Sequence, residues 1–263
     1  MPDDRSRSPA GRGGRLAAKT AVVTGGAGCM GRAMAKELVR QGTTVVITDL
    51  RLEQLEQAAT DIREATAGVA NHGRVVPMVA DVTNEQSVVT LFKRVLDECS
   101  ACYLLVNCAG IMLGGPTIEL SGDTFWKVMT VNVLGTFLCA REAFKQMKAA
   151  GGGRIINIGS IAVDRPRADA APYTASKHAV AGLTRSLALD GRPHNICVSI
   201  IHPGNVESPL MSPEEAERRR VTEGFIPAED VATCAVQMSV MPLSSNVLEL
   251  TVMPSKQPLV GRG

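Results

Sequence analysis

Tyr173 and Lys177 stand four residues apart in Tyr173-Thr174-Ala175-Ser176-Lys177, a stretch that reads as the start of a helix. At that spacing the phenol and the ammonium share one helical face. A phenol titrates near 10 and is a poor base at neutral pH unless a cation stabilises the phenolate. Lys177 is such a cation. Ser160, at the end of a strand-like run from Arg154 to Ile158, adds a hydroxyl that could orient the same reacting oxygen. Together the three groups suit proton exchange with an alcohol or carbonyl oxygen. Taken alone, Tyr-x-x-x-Lys also occurs as an ordinary exposed helix pair.

A second constellation lies near the start of the chain, where Thr24-Gly25-Gly26-Ala27-Gly28-Cys29-Met30-Gly31 follows a β-branched run and opens into a helix. Glycines permit a tight strand-to-helix turn and let backbone N–H groups approach a diphosphate at a helix N-terminus. Any tight turn favours glycine, so context matters. Asp49 ends the second strand-like run, 18 residues after Gly31, where a carboxylate can accept from the ribose hydroxyls of a dinucleotide. The same carboxylate repels a 2′-phosphate, and position 28 has no basic side chain to neutralise one. NAD is therefore expected in preference to NADP. The alternative for Asp49 is a strand-end acid or a cap for the helix beginning near Leu52. Cys29 has two readings. As the first helical residue beside a diphosphate, its thiol should be acidified by the helix dipole; packed inward, it is a small apolar residue.

The elements that must position these groups alternate. Strands are expected at Ala21–Thr24, Thr44–Thr48, Val75–Val79, Leu104–Asn107, Arg154–Ile158, Cys197–Ile201 and Leu248–Val252. Helices are expected at about 30–41, 52–66, 84–98, 121–149, 173–190 and 228–239. This is the pattern of an α/β domain with a parallel seven-stranded sheet, doubly wound with helices on both faces in the Rossmann manner. The helix at 121–149 is apolar nearly all round in its middle, which suits burial against the sheet and a second subunit. The stretch 202–227 is read as a long irregular loop at the substrate side, a lid.

Composition narrows the partners. Of 263 residues, 45% are hydrophobic and only 3% aromatic, so base-stacking nucleic-acid modules are not expected. Residues 16–263 carry 24 basic against 24 acidic side chains, and the net charge of +2 comes from residues 1–15. Neither nucleic acid nor an anionic membrane is an expected partner. No apolar run approaches the 18 residues of a membrane span. The seven cysteines read as reduced thiols of a cytoplasmic protein. Residues 1–15 are expected to form a disordered arm outside the fold, and 16–263 one domain.

Further motifs complete a pattern: Ala80-Asp81-Val82 after the third strand, Asn107-Cys108-Ala109-Gly110 after the fourth, Asn132, and Pro203-Gly204-Asn205-Val206 after the sixth. Ordered together with the glycine turn, Asp49, Ser160, Tyr173 and Lys177, they resemble the short-chain dehydrogenase/reductase family, in its compact single-domain branch, over residues 16–254. That resemblance implies an NAD-dependent oxidoreductase interconverting a secondary alcohol and a ketone. It makes Tyr173 the acid/base, Lys177 its electrostatic partner and ribose anchor, Ser160 the substrate-orienting group, and Asn132 the holder of a relay water. Asp81 and Val82 would contact adenine, Asn107 would support the central strand, Ala109 and Gly110 would lie against the cofactor, and Pro203, Gly204 and Val206 would contact the nicotinamide. Relatives pair the helices corresponding to 121–149 and 173–190 into homodimers or homotetramers. Competing readings are an NADPH-dependent carbonyl reductase and a non-catalytic dinucleotide-binding sensor.

The chain departs from the family pattern in places. The usual T-G-x-x-x-G-x-G would put its second glycine at Cys29; residues 24–31 instead fit T-G-x-x-G-x-x-G with Gly28 in the middle. Cys108 replaces the second Asn of Asn-Asn-Ala-Gly. Glu207-Ser208 stands where a Thr near the carboxamide is common, so Ser208 is its stand-in. Arg165 and Arg167 lie between Ser160 and Tyr173, where they could bind a carboxylate substrate or simply lie on the surface. Cys99 and Cys102 have metal-site spacing but no second pair, so they read as a loop. His72, His178, His194 and His202 are scattered and are not expected to be catalytic. The run Glu214, Glu215, Glu217, Arg218, Arg219 and Arg220 reads as a solvated helical segment with internal ion pairs.

Overall fold

The β-branched runs are strands, and all of them pair in parallel. In the computed structural model, which describes residues 14–207 and 213–259, these are β1 (Thr20–Thr24), β2 (Thr44–Asp49), β3 (Arg74–Val79), β4 (Cys102–Asn107), β5 (Gly153–Ile158), β6 (Ile196–Pro203) and β7 (Glu249–Val252), in the sheet order β3-β2-β1-β4-β5-β6-β7. Period-two alternation sends neighbours to opposite layers. Ala21 and Val23 join the core under α1 (Cys29–Arg40), α2 (Leu52–Thr66) and α8 (Ala228–Ser239), whereas Val22 joins the core under α3 (Glu85–Glu98), α5 (Gly135–Ala149) and α6 (Ala171–Gly191). Both faces are therefore covered, which is why β1, β5 and β6 are buried at every position and read as nearly unbroken apolar runs.

The single helix expected over 121–149 is interrupted. α4 (Gly122–Met129) passes into five π-helical residues, Thr130–Leu134, before α5 begins. There the Gly135 N–H donates to the Thr130 carbonyl, five residues back. An inserted residue of this kind turns a side chain off the regular helical face, and it is frequent at functional sites. The residue so placed is Asn132, which is buried.

The described parts of the stretch 202–227, residues 202–207 and 213–227, hold regular structure. β6 runs to Pro203, Val206 bridges to Ile226, and α7 (Pro213–Thr222) carries the Glu/Arg run. Within it Arg220 lies 3.7 Å from Glu217, as the ion-pair reading of that run expects. Gly14 and Arg15 are exposed while Leu16 is fully buried; the rest of the expected arm lies outside the described residues. No helix among the described residues is long and apolar enough to cross a membrane.

The strand order reverses beside β1: the chain runs outward to β2 and β3, then returns to β4 on the other side. Such a reversal opens a crevice at the carboxyl ends of the two central strands, the usual ligand position in a sheet of this kind. A buried amide ladder stiffens the neighbouring strands. Asn107 Nδ2 donates to Asn157 Oδ1 at 2.9 Å, and Asn157 Nδ2 donates to Thr184 Oγ1 on α6 at 2.9 Å.

Candidate active site

The glycine turn closes the floor of the crevice. Gly25 has φ +64°, a left-handed conformation that disfavours any Cβ, and a Cβ there would come within 2.9 Å of the Ala109 backbone. Gly31 is under a harder constraint, since its Cβ would lie 2.1 Å from the Gly25 carbonyl oxygen. At Gly28 the same test gives 3.3 Å, so Gly31 is held far more tightly than Gly28. Thr24 Oγ1 accepts from the amides of Cys108 and Ala109 at 3.1 and 3.0 Å, fastening Asn107–Gly110 beside the turn. No side chain caps α1 at Gly28, which leaves the first-turn amides from Cys29 to Gly31 available to an anion.

Asp49 faces this turn. Its Oδ2 accepts from the Ala27 amide at 3.2 Å and its Oδ1 from the Leu50 amide at 2.8 Å. It does not cap α2, whose N-cap is Arg51. Asp81 Oδ1 accepts from both the amide and hydroxyl of Thr83, and the neighbouring Val82 is nearly buried against Gly135. An uncapped helix end, a glycine floor and a fixed carboxylate at the end of β2 form a cradle that fits a dinucleotide.

Cys29 corrects one expectation. It is the first residue of α1 and exposed, its Sγ 3.6 Å from the Glu207 carbonyl oxygen. Yet its thiol is raised above the ordinary range rather than acidified: lost hydration raises it most, and the Glu229 carboxylate adds to this against Arg32. Cys108, nearby, is pushed up to about 12 by burial.

On the other side of the crevice, Lys177 is buried, and its Nζ donates to the Ile158 carbonyl at 2.8 Å while lying 5.5 Å from the centroid of the Tyr173 ring. Asn132 Oδ1 accepts from the Ile111 amide at 2.8 Å; its Nδ2 donates to the Ile111 carbonyl and to Ser176 Oγ. Gly110 lies between these groups, since a Cβ there would be 3.3 Å from Asn132 Oδ1 and 3.8 Å from Lys177 Nζ. Ser160 Oγ accepts from the Ala162 amide at 3.1 Å. Helix, π-turn and strand end thus bring Asn132, Tyr173 and Lys177 together, with Ser160 two residues beyond the carbonyl that Lys177 holds.

Pro203–Val206 continues from β6 into the same end of the sheet, and the Gly204 amide donates to the Val252 carbonyl at 2.8 Å. Ser208 lies outside the described residues. The Arg167 guanidinium reaches Glu223 Oε2 at 2.9 Å and Asn205 Oδ1 at 2.7 Å. Glu223 also accepts from Asn205 Nδ2 and Gln257 Nε2. Burial raises its carboxyl, but those hydrogen bonds and Arg167 outweigh burial and hold it below the ordinary carboxylate range. Arg165 is exposed. A cleft of about 530 Å³ runs along Met112, Leu113, Asp169, Arg219 and Glu223, between the loops after β4 and β5 and the end of α7.

The sequence did not show which of these residues meet. The Arg167, Asn205, Glu223 and Gln257 cluster draws on four separated segments. His202 is buried directly behind Ser160, although its spacing suggested nothing.

The match to known proteins is broad. A family model described as short chain dehydrogenase matches residues 19–219. A 3-alpha-(or 20-beta)-hydroxysteroid dehydrogenase of Mycobacterium tuberculosis is 38% identical over 198 residues, 75% of this chain and 72% of that protein. A solved actinorhodin polyketide ketoreductase with NADPH superposes with a TM-score of 0.83 at 28% identity, covering 91% of this chain and 97% of its own. An NAD+-bound xylitol dehydrogenase does so with a TM-score of 0.81 at 26% identity, covering 92% and 100%. With matches of this extent around a sheet whose crevice fits a dinucleotide, the chain belongs to the short-chain dehydrogenase/reductase family and is an NAD(P)-dependent oxidoreductase acting on CH–OH groups.

Proposed function

We propose that the protein interconverts a secondary alcohol and a ketone using NAD, with Tyr173 as the acid/base. The observation that carries this reading is the placement of the Lys177 ammonium, anchored on the Ile158 carbonyl and 5.5 Å from the Tyr173 ring. A buried cation beside a phenol favours the phenolate. In the oxidative direction Tyr173 takes the proton from the substrate hydroxyl; in the reductive direction it returns one to the carbonyl oxygen. Ser160 orients that oxygen through its hydroxyl, whose lone pair is already engaged by the Ala162 amide. Asn132, held through Ile111 and Ser176, serves proton relay to Lys177. When bound, the nicotinamide donates or accepts the hydride.

The turn from Gly25 through Gly28, Cys29, Met30 and Gly31 would hold the diphosphate, and Asp81 with Val82 the adenine. Asn107, Ala109 and Gly110 would line the middle of the cofactor site, and Pro203, Gly204 and Val206 the nicotinamide end. Asp49 supports NAD over NADP, because the Ala27 and Leu50 amides fix its carboxylate at the end of β2, where it favours ribose hydroxyls and disfavours a 2′-phosphate. A hydroxysteroid dehydrogenase and a xylitol dehydrogenase among the relatives support medium-sized alcohols as candidate substrates. A homodimer or homotetramer in the cytoplasm is part of this reading, supported by the exposed Trp126, Leu134 and Phe137 on α4, the π-turn and α5.

Thermal shifts with NAD and NADP, followed by absorbance assays over xylitol, sorbitol and 3-hydroxysteroids, test it. A larger shift with NAD and reduction of NAD by one of these alcohols are expected. A tenfold preference for NADP would overturn the cofactor assignment.

A further inference from the structure

His202 is fully enclosed at the end of β6, yet both of its ring nitrogens face polar groups. Nδ1 lies 3.1 Å from the Ser160 amide nitrogen and 2.9 Å from the Ser160 carbonyl oxygen. On the opposite edge, Nε2 lies 3.1 Å from Oε1 of Glu249 on β7, at ion-pair distance though off the line of a hydrogen bond. The other oxygen of Glu249 is held at 3.0 Å by Arg185 on α6, the helix that carries Tyr173 and Lys177. Close approach is built in: a Cβ at Gly159 would sit 2.5 Å from Nδ1 and 2.7 Å from Cε1 of the ring.

The proton positions follow from the charges. A lone pair on Nε2 at 3.1 Å from the charged Glu249 carboxylate is repelled more than one on Nδ1 at 2.9 Å from the neutral Ser160 carbonyl, which favours a proton on Nε2. Nδ1 then either accepts from the Ser160 N–H or, in the imidazolium, donates to the Ser160 carbonyl. In both forms the ring grips the backbone of Ser160, and the hydroxyl of that residue is in turn fixed by Ala162.

We propose that His202, oriented by Glu249, is a positioning residue for Ser160 that fixes the strand end from which the substrate-orienting hydroxyl projects. This rests on the role given to Ser160 above. A shift of about 1 Å in such a group can cost as much as 100-fold in rate, whereas cofactor binding on the β1 side of the crevice should not sense it.

The test compares His202→Asn, whose side-chain amide can replace Nδ1, with His202→Leu, which cannot. Ser160→Ala and Tyr173→Phe serve as controls, with xylitol or a 3-hydroxysteroid as the alcohol. Expected are a kcat loss of about 10- to 100-fold in His202→Leu, recovery to within about threefold of wild type in His202→Asn, and an NAD dissociation constant within about twofold in both. Equal losses in the two variants, or a loss carried by NAD affinity, would overturn the proposal. If the Ser160 and Tyr173 controls retain full activity, the proposed function falls instead. Histidine-selective 15N spectra, assigned by the signal lost in His202→Asn, decide the proton placement without substrate or turnover. A protonated Nε2 is expected, and a neutral ring protonated on Nδ1 overturns the proposal.

Discussion

Lys177 donates from Nζ to the carbonyl of Ile158 at 2.8 Å, which ties the first turns of α6 to the end of β5 two residues before Ser160. A buried lysine must find acceptors, and this one finds a backbone carbonyl rather than a carboxylate. No carboxylate among the described residues pairs with this Nζ, which lies 5.5 Å from the Tyr173 ring, an arrangement suited to supporting a phenolate.

Replacing Tyr173 by Phe removes one hydroxyl and leaves the helix unchanged. Turnover should fall by about 100-fold or more, the scale of a lost acid/base group, with NAD binding and thermal midpoint nearly unchanged. Steady-state kinetics and a cofactor titration check this, and near-wild-type turnover would remove Tyr173 from the mechanism.

Asp49→Ser removes both the ribose acceptor and the charge that opposes a 2′-phosphate. NAD affinity should drop and NADP affinity rise, with Arg51 at the start of α2 close enough in sequence to assist. Titration of both dinucleotides against wild type and variant measures the exchange.

Gly31 and Gly28 differ in how closely the turn packs against them. Gly31→Ala forces a methyl to within 2.1 Å of the Gly25 carbonyl and should destabilise the fold by about 1–3 kcal/mol, as overpacking does. Gly28→Ala meets that oxygen at 3.3 Å and should cost less in denaturant unfolding. Equal losses would show that the turn relaxes as a unit.

Cys29 should alkylate more slowly than an unperturbed surface thiol at neutral pH, because lost hydration and Glu229 keep it protonated. Its rate should climb as pH rises. Iodoacetamide labelling followed by peptide mass spectrometry reads this, and fast labelling at pH 7 would contradict the raised thiol.

The latch between Arg167 and Glu223 carries a pH signature. Glu223 titrates lower in the folded protein than its ordinary value of 4.5, so its stabilisation is complete above about pH 4.5 and lost as pH falls through the folded value. Glu223→Gln should lower stability by about 1–2 kcal/mol at pH 7 and flatten the acid limb of the stability curve. An unchanged acid limb would show that the latch contributes nothing.

The sequence by itself determined the frame: β-branched runs at strand spacing, the glycine turn, Asp49 at the end of β2, and Tyr173 with Lys177 on one helical face. These are local signals, legible because a side chain's face in a strand or helix follows from period alone. What only the tertiary structure decided depends on register between distant segments. An inserted π-helical residue leaves no mark in an apolar run such as Val131 to Leu134, so the burial of Asn132 could not be read. The pairing of β5 with β6 and β6 with β7 carries His202 against Ser160 and Glu249, 42 and 47 residues away. The fold likewise gives Arg167 a partner 56 residues on, a pairing its sequence position did not show. Cys29 lies where the sequence put it, but its protonation was set by the burial and carboxylates that the folded chain gathers around it.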